Sequence, residues 1–376
     1  MAATAPTPAS PDLCIPESSS TVDVRIIDPK TYGSADASTV FVPAIQGLST
    51  FRFPSYVFLI TNVKLNKHIL FDLAMAPNWA ETLPPTTQEF IRKHMPFTVE
   101  QSVQDLLDAD AAGLGIKSDD ISSVIWSHHH FDHRGDITTF PAATELIVGP
   151  GFQQAYAPYY PTNPRSSINE TELRGRPVRE LDDAAFGLRV GQFRAHDFFG
   201  DGSFYIVDAP GHTTGHLCAL ARVTPSPNAT FVFMGGDCAH HPAIFRPTAY
   251  VPLPREIPLP AGSRHGISVC PGAWVQQQLH PTRSATEPFL TPQVGVNDQQ
   301  PLAGQSVAAM QQFDADENVL VCIAHDASLL AGDVEFYPAT LNRWKEREGL
   351  ARSRKERIHW GFCSDFDLGS LEGSQA

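Results

Sequence analysis

Short apolar runs separated by turn signals dominate the first two-thirds of the chain. Most of these runs are continuous rather than alternating, which is typical of strands that are covered on both faces. They predict a strand pair joined through residues 62–67 and four later strands. The predicted strands are Tyr56–Ile60, Ile69–Phe71, Leu146–Val148, Phe204–Val207, Phe231–Met234 and Val319–Ile323.

Helical segments are predicted between and after these strands. Thr98-x-x-Gln101 matches a capping box, and it predicts a helix with Val99, Val103, Leu106 and Leu107 on its apolar face. Residues 306–313 and 340–348 predict two later helices. This order of elements favours an α/β fold, an αββα sandwich of two mixed β-sheets flanked by helices.

The chain is predicted to form one domain over residues 21–376, preceded by a flexible lead-in at residues 1–20 that is rich in Ala, Pro, Ser and Thr. Residues 242–301 hold many prolines and little periodicity. A stretch of this length is long for a structureless loop, so we expect an ordered insertion that lids the site or contacts a second copy. Residues 156–167 predict a second flap.

Composition and charge exclude several classes of partner. A hydrophobic content of 42% and a charged content of 18% are typical of soluble globular proteins. The net charge of -14 would repel nucleic acid and anionic membranes, so neither is expected as a partner. The N-terminus has no continuous apolar stretch, and the six cysteines are scattered. Both features predict a cytoplasmic protein with reduced thiols and leave its oligomeric state open.

The segment Ser127–His133 carries four candidate metal ligands in the order His-x-His-x-Asp-His. Zn²⁺ and its first-row neighbours take imidazole and carboxylate ligands when thiolates are absent. Val124–Trp126 predicts a buried strand just before the segment, so the ligands lie on a loop at a strand end. The alternate histidines can point together, whereas Asp132 and His133 face apart, which suits two metal ions. The alternative is that three consecutive histidines form a solvated polar turn.

Three further polar groups follow predicted strands. His212 comes after Gly211, which lets the backbone turn sharply. Asp237 follows the next strand, and a carboxylate there can bridge two cations through one oxygen each. His325 follows the last predicted strand, whereas His216 is expected to pack against its neighbours or orient them. Four strands that all end in His or Asp indicate a shared site.

These motifs resemble those of the metallo-β-lactamase superfamily, specifically its dinuclear hydrolases. The family pattern is His-x-His-x-Asp-His, a Gly-His turn, a bridging Asp and a late His, and the chain has them in that order across roughly residues 50–330. More narrowly, residues 127–136, 151–152, 198–203 and 235–241 resemble fungal proteins described as similar to N-acyl-homoserine lactonases. Some of those proteins act on lactams such as benzoxazolinones.

The resemblance implies that seven side chains bind two metal ions, three at each ion and one shared. They are His128, His130 and His212 for the first ion, Asp132, His133 and His325 for the second, and Asp237 as the bridge. It also implies that Asp72 supports these ligands from behind. Ala74 and Asp136 stand where the family commonly has glycine, and neither removes a ligand.

The resemblance further implies a hydrolase with two Zn²⁺ per chain, although the same ligands suit iron or manganese. Attack by a metal-bound hydroxide would open a lactone or lactam ring, with Asp132 and Asp237 as catalytic residues. The alternative is a thioesterase at the same site, either glyoxalase II-like or polyketide-releasing. His240, His241 and Tyr250 are candidates for substrate contacts.

Overall fold

Two six-stranded sheets form the centre of the computed structural model, which describes residues 7–260, 263–331, 334–346 and 354–368. The strands of the described residues are β1 (Asp23–Ile27), β2 (Thr31–Asp36), β3 (Phe41–Val42), β4 (Thr50–Pro54), β5 (Val57–Asn62), β6 (Lys67–Phe71), β7 (Phe97–Val99), β8 (Ile121–Ile125), β9 (Glu145–Val148), β10 (Val178–Glu180), β11 (Leu188–Val190), β12 (Phe193–Asp197), β13 (Phe204–Asp208), β14 (Leu217–Arg222), β15 (Phe231–Met234), β16 (Glu256–Pro258), β17 (Val269–Pro271), β18 (Thr291–Pro292) and β19 (Val319–Cys322). The α-helices are α1 (Trp79–Thr82), α2 (Pro85–His94), α3 (Val103–Ala109), α4 (Phe131–Arg134), α5 (Phe152–Tyr156), α6 (Gly272–Gln278), α7 (Gln300–Ala315) and α8 (Arg354–Trp360).

Both large sheets are mixed. The first has the order β1-β5-β6-β8-β9-β10 and is antiparallel from β1 to β6 and parallel from β6 to β10. The second has the order β11-β12-β13-β14-β15-β19 and is antiparallel except for the last pair. With α3 packed on the first sheet and α7 on the second, the predicted αββα sandwich is confirmed.

The alternation of side chains along each strand explains why the apolar runs are continuous. Phe58 and Ile60 of β5 belong to the cluster that fills the space between the two sheets. Val57 and Leu59 of the same strand face outward and pack in one cluster with Leu107 of α3. Successive residues of a strand point to opposite faces, so a strand covered on both faces buries every position. The expected strands are all present.

The prediction of helices was less accurate. Thr98 lies in β7, paired with Tyr32 of β2, so the capping box proposed there is wrong. The helix begins four residues later, where the side chain of Ser102 accepts the backbone N–H of Asp105. Residues 341–346 form a bend and turns instead of the predicted helix, and 347–348 lie outside the described residues. The helix predicted at 306–313 is the central part of α7.

The N-terminal segment contacts the second sheet over the described residues 7–20. Leu13 is buried, and its carbonyl accepts the backbone N–H of Gly191. Ser18 donates its hydroxyl to the carbonyl of Asp201, and Arg222 donates to the carbonyl of Pro16. This part of the lead-in is therefore attached to the sandwich at several points.

The proline-rich insertion is ordered over its described residues. It contains β16, β17 and α6, and its strand β18 pairs with β3 near the N-terminus. Its buried residues, among them Ile257, Val275, Phe289 and Leu290, join the cluster on the outer face of the second sheet. The insertion therefore covers one face of the sandwich, as an additional layer over the second sheet.

A buried ion cluster fastens the insertion to two helices. Arg246 donates from Nε and Nη2 to the two carboxylate oxygens of Asp314 in α7, at 2.9 and 2.6 Å. His359 of α8 places Nε2 3.2 Å from Asp314. Burial opposes ionisation of Asp314, yet Arg246 and His359 hold the pKa of its carboxyl well below the usual value. The ion pair therefore persists inside the protein because both partners are satisfied.

No helix in the described part of the chain is long and apolar enough to span a membrane. All six cysteines carry free thiols, and five of them are buried, with only Cys14 exposed.

Candidate metal centre

Four loops, each following a strand, bring the predicted ligands to one place. Ser127–His133 follows β8, and its second half forms the one-turn helix α4. His212 follows β13, Asp237 follows β15 and His325 follows β19. All of these loops leave the sheets at strand ends, where backbone direction changes and side chains from separate elements can converge.

Three histidines form the first group of candidate ligands. The Nε2 atom of His212 lies 3.3 Å from Nε2 of His128 and 3.1 Å from Nδ1 of His130. Nitrogen ligands at the normal Zn–N distance and tetrahedral angles lie about 3.3 Å apart, so this spacing fits one zinc ion. Together with Asp237, these ligand atoms all lie within 4.8 Å of one another.

Asp132, His133 and His325 form the second group, and their ligand atoms also lie within 4.8 Å of one another. The carboxylate oxygen Oδ2 of Asp132 is 3.6 Å from Nε2 of His325 and 3.9 Å from Nε2 of His133. All three side chains are buried. The structure thus divides the side chains of the motif His-x-His-x-Asp-His between two groups.

Asp237 divides its two carboxylate oxygens between the two groups. Oδ2 lies 3.6 Å from Nε2 of His128 and 3.5 Å from Nε2 of His212. Oδ1 lies 3.2 Å from Nε2 of His133 and 3.0 Å from Nε2 of His325. One oxygen therefore faces each set of histidines, which is the geometry required of a carboxylate that bridges two cations.

Two buried atoms at the centre of this arrangement have no hydrogen-bond partner among the described residues. They are Nε2 of His133 and Oδ1 of Asp237, which are 3.2 Å apart but do not meet hydrogen-bond geometry. A buried polar atom without a partner costs about 1–3 kcal/mol, and proteins rarely leave one without a reason. A cation bound to both atoms would remove this cost, so the donor set fits a metal ion.

Hydrogen bonds behind the ligands orient their rings. Asp72 accepts the N–H of Ser127 at 2.7 Å through Oδ1 and bonds Nδ1 of His133 at 2.9 Å through Oδ2. Nδ1 of His325 bonds the carbonyl of Pro54 at 2.7 Å. A ring that donates from Nδ1 keeps its Nε2 lone pair for a metal, so these contacts prepare both rings as ligands.

His216 and Asn297 support the candidate ligands through hydrogen bonds. His216 accepts the backbone N–H of Asp237 at 3.0 Å through Nε2 and bonds the carbonyl of Ala209 through Nδ1. Asn297, in the insertion, bonds Nδ1 of His212 at 2.9 Å through Oδ1. An asparagine in an irregular loop gives no sequence signal, whereas His216 was expected to pack or orient.

The electrostatic environment divides the histidines into two kinds. Burial lowers the pKa of His128, His130 and His212 well below the usual value, so these rings are neutral and keep a lone pair. Burial acts in the same direction on His133, but Asp237 and Asp72 outweigh it and raise its pKa well above the usual value. This ring therefore lies where the protein stabilises positive charge most strongly.

Gly211 is required for the close approach of the His212 loop to α7. Its φ is +123°, and a Cβ at this position would lie 2.1 Å from the backbone nitrogen of Ala303. Both the backbone conformation and the contact exclude a side chain. The glycine that the sequence predicts to be a turn residue is also a packing residue.

The three candidates for substrate contacts lie in different surroundings. His240 places Nε2 3.3 Å from Oδ2 of Asp237 and lines the cavity at the ligands. His241 is buried and turns away, placing Nε2 3.2 Å from the carboxylate of Asp365. Neither His241 nor Tyr250 is among the residues that line the cavity. Neighbouring residues of a turn point in different directions, which explains the separation of His240 from His241.

A cavity of about 860 Å³ opens over the ligands. Its floor includes His130, Asp132, His212, Asp237 and His325. Its walls come from α2, from the ends of β2 and β4, from the segment near residue 165 and from the insertion at residues 294–298. This volume lies within the range of pockets that bind drug-sized molecules.

Comparisons with known proteins agree with this geometry. A model of the metallo-beta-lactamase superfamily matches residues 51–222. The metallo-hydrolase mfmC of Annulohypoxylon moriforme is 44% identical over 356 residues, which cover 95% of this chain and 90% of that protein. The chain belongs to the metallo-β-lactamase superfamily. As a member of this superfamily it is a metal-dependent hydrolase with a metal cofactor.

Two further matches extend this result. The gamma-lactamase FDB1 of Fusarium pseudograminearum is 41% identical, with 95% of this chain and 85% of that protein covered. An N-acyl homoserine lactone hydrolase, solved with N-hexanoyl-L-homoserine at its catalytic metal centre, superposes with a TM-score of 0.55 at 15% identity. That match covers 85% of this chain and 99% of the other. At this identity, the likeness to the solved structure shows the metallo-β-lactamase fold alone.

Proposed function

We propose that this protein is a dinuclear zinc hydrolase that opens a lactone or lactam ring in a small molecule. The observation that carries the proposal is the position of Asp237, whose two oxygens face two separate sets of histidines. A single metal ion would leave one of these sets without a role. Retention of Asp132, His133 and His325 beside the first set therefore supports two ions.

Zinc is the proposed metal because the donor set consists of imidazoles and carboxylates at tetrahedral spacing. His128, His130 and His212 would hold one ion, Asp132, His133 and His325 the other, and Asp237 would hold both. Two zinc ions bound in this way would lower the pKa of a shared water and polarise a substrate carbonyl. Iron and manganese accept the same ligands, so metal analysis is part of the test.

The protein's own groups would orient the reacting atoms. Asp237 carries acceptor oxygens at the centre of the site, and its buried carboxyl has a pKa held well below the usual value by His133 and His325, against the effect of burial. It therefore stays ionised and can orient a water through a hydrogen bond. His240, 3.3 Å from Asp237, is placed to donate a proton to the group that leaves.

The relatives support ring opening as the reaction. The protein at 41% identity is called a gamma-lactamase, and MBL2 of Gibberella moniliformis, also called a gamma-lactamase, is 44% identical over 91% of its length. Opening a lactam and opening a lactone follow the same course, in which a carbonyl carbon is attacked and the ring nitrogen or oxygen leaves. We therefore rank a five-membered lactam first and a lactone second.

The test is mass spectrometry of a substrate panel incubated with the purified, zinc-loaded protein. The panel contains a benzoxazolinone-type lactam, an acyl-homoserine lactone, a β-lactam and a glutathione thioester, each with a chelator-treated control. We expect a chelator-sensitive gain of one water on a lactam or lactone, together with two zinc ions per chain by elemental analysis. Cleavage of the thioester alone would replace the proposal by the thioesterase alternative.

A further inference from the structure

Two cationic side chains line the cavity without a carboxylate partner. Lys93 lies in the last turn of α2, and Arg165 lies in the segment between α5 and β10. Both are exposed, and within the described residues neither forms an ion pair. Other cations of the described residues also form no ion pair, but Lys93 and Arg165 are the lysine and arginine side chains that line this cavity. Two unpaired cations at one cavity indicate a role for their charge.

The backbone around Arg165 is fixed relative to the ligands. Arg165 donates its backbone N–H to the side chain of Asn163, and the carbonyl of Ser167 accepts from Nη2 of Arg134 at 2.7 Å. Arg134 directly follows the ligand His133 and is fully buried in an ion pair with Glu172. The segment that carries Arg165 is therefore anchored to the loop that carries the candidate metal ligands.

The cationic and the acidic side chains at the rim of the cavity lie on different elements. The segment that carries Arg165 contacts the turn before α2, where Asn169 donates to the carbonyl of Thr82 at 3.1 Å. The carboxylates of Asp36 and Asp298 also line the cavity, but they belong to β2 and the insertion.

The two elements that carry Asp36 and Asp298 contact each other, because Gln293 donates to the carbonyl of Ser38 at 3.2 Å. The carboxylate of Asp36 is further occupied by the amide and hydroxyl of Ser38. The cavity thus has one cationic wall, built by α2 and the segment of Arg165, and a separate acidic wall, built by β2 and the insertion.

Apolar side chains also line the cavity, on the elements that carry these charges and on β4 and α4, and some of them are exposed. They include Phe51, Phe53, Phe90, Met95, Phe131, Val294 and Val296. Phe90 is 45% exposed and Val294 is 89% exposed, at the tip of a turn in which Gly295 has a φ of +93°. Exposed apolar side chains that rim a cavity indicate a surface which a ligand covers. The cavity therefore suits a molecule with an apolar body.

We propose that the substrate is an organic anion, in which an apolar ring system bears a carboxylate that Lys93 and Arg165 bind. This inference rests on the proposed ring-opening activity and adds the class of molecule that carries the ring. The cations attract the carboxylate while the aromatic side chains cover the apolar body, and together they direct the ring carbonyl to the ligands. Lys93 and Arg165 are specificity residues and take no part in the chemical step.

The experiment compares two substrates that differ only in charge. They are a bicyclic aromatic lactam with a short carboxyalkyl side chain and the isosteric carboxamide. The variants are Lys93→Ala, Arg165→Ala, the double variant and the control Lys64→Ala, which removes an exposed charge from the turn between β5 and β6. Steady-state kinetics are measured at low and high salt.

We expect KM for the carboxylate to rise about two- to fivefold in each single variant and about tenfold in the double variant, with kcat unchanged. The carboxamide and the control should change less than twofold. Because exposed charges are screened by salt, high salt should reduce the difference between wild type and the double variant.

Equal turnover of carboxylate and carboxamide by the wild type, with no effect of the variants, would overturn the inference and leave the proposed function intact. If neither ring opens although two zinc ions are bound, the proposed function fails instead. In that case calorimetric binding of the carboxylate to the wild type and double variant still decides the inference, since unchanged affinity would refute it.

Discussion

His216 accepts the backbone N–H of Asp237 at 3.0 Å, and this bond holds the Asp237 carboxylate between the two sets of histidines. The other ring nitrogen of His216 bonds the carbonyl of Ala209, so the ring is fixed at both ends. Burial lowers the pKa of His216 to about 4, which keeps the ring neutral and Nε2 able to accept. The position of Asp237 therefore depends on a residue that is not itself a metal ligand.

Substitution His216→Asn should weaken zinc binding, because the N–H of Asp237 loses its acceptor and the carboxylate loses its fixed position. Changes behind metal ligands typically cost 10- to 100-fold in affinity, so we expect a loss of about tenfold or more. Competition with a chelating dye measures it. The control His196→Asn removes a ring in β12 that bonds the carbonyl of Ala185, away from the candidate ligands, and should leave zinc affinity unchanged. Equal zinc affinity in both variants would contradict the role of His216.

Asn297 should affect the first group of ligands, since its side chain holds Nδ1 of His212. We expect Asn297→Ala to reduce zinc affinity about tenfold and Asn297→Asp, which keeps an acceptor oxygen, to restore most of it. Titration of zinc into metal-free protein measures both. Asn228→Ala, in an exposed turn, is the matched control. A failure of Asp to restore affinity would show that packing rather than the hydrogen bond is responsible.

Two glycines near each other in space should respond in opposite ways to alanine. Gly211→Ala would press a Cβ against the backbone of Ala303 in a left-handed conformation, and we expect a loss of about 3 kcal/mol in unfolding free energy. Gly304, exposed within α7, has open space around its Cβ position. Gly304→Ala should therefore stabilise the protein by about 0.5–1 kcal/mol. Urea unfolding measures both, and destabilisation by Gly304→Ala would count against this account of α7.

The ion cluster behind the insertion should make stability depend on pH. Burial lowers the pKa of His359 to about 4. The neighbouring Arg246 acts in the same direction, whereas Asp314 acts in the opposite direction. In the unfolded chain the ring of His359 binds a proton near pH 6.5, so above that pH the ring is neutral in both states and the folded protein keeps its full stability. Stability falls by on the order of 3 kcal/mol as the pH falls from 6.5 towards 4, because only the unfolded chain takes up the proton in this range.

The variant His359→Gln cannot take up this proton, so its unfolding free energy should fall less over the same pH range. Urea unfolding of the wild type and the variant at pH 7, 5.5 and 4.5, under the same zinc supply, measures the difference. Parallel pH curves for the two proteins would show that His359 does not contribute. The comparison separates this effect from acid release of zinc, which both proteins share.

The sequence predicts the strands well, and it picks out side chains that the fold brings together, because each depends on local signals. A strand buried on both faces has a continuous apolar sequence, so a His or Asp that directly follows it is easy to recognise as a candidate ligand. The helix signal at Thr98 was misleading because the capping pattern also occurs by chance, and the true cap is Ser102. Pairing with β2, a contact distant in sequence, kept Thr98 extended.

Contacts between distant segments were the part that the sequence could not predict. Asn297 and His212 are 85 positions apart, and nothing in the irregular insertion indicates their contact. The separate surroundings of His240 and His241 depend on the direction of one turn, which tertiary packing decides. The unpaired state of Lys93 and Arg165 likewise depends on which side chains the fold brings near them.

The turn in the insertion has a consequence for how such enzymes could diversify or be redesigned. Val294 and Val296 on this turn shape the cavity, while Asn297, next in the chain, steadies a candidate metal ligand. Substrate preference and the catalytic centre therefore share one short stretch of chain. Grafting a different loop here to change selectivity should succeed only when the graft keeps an oxygen acceptor at position 297. Loop exchange is therefore constrained at Asn297 by its bond to His212 and at Gly295 by a φ of +93°, whereas Val294 and Val296 are open to change.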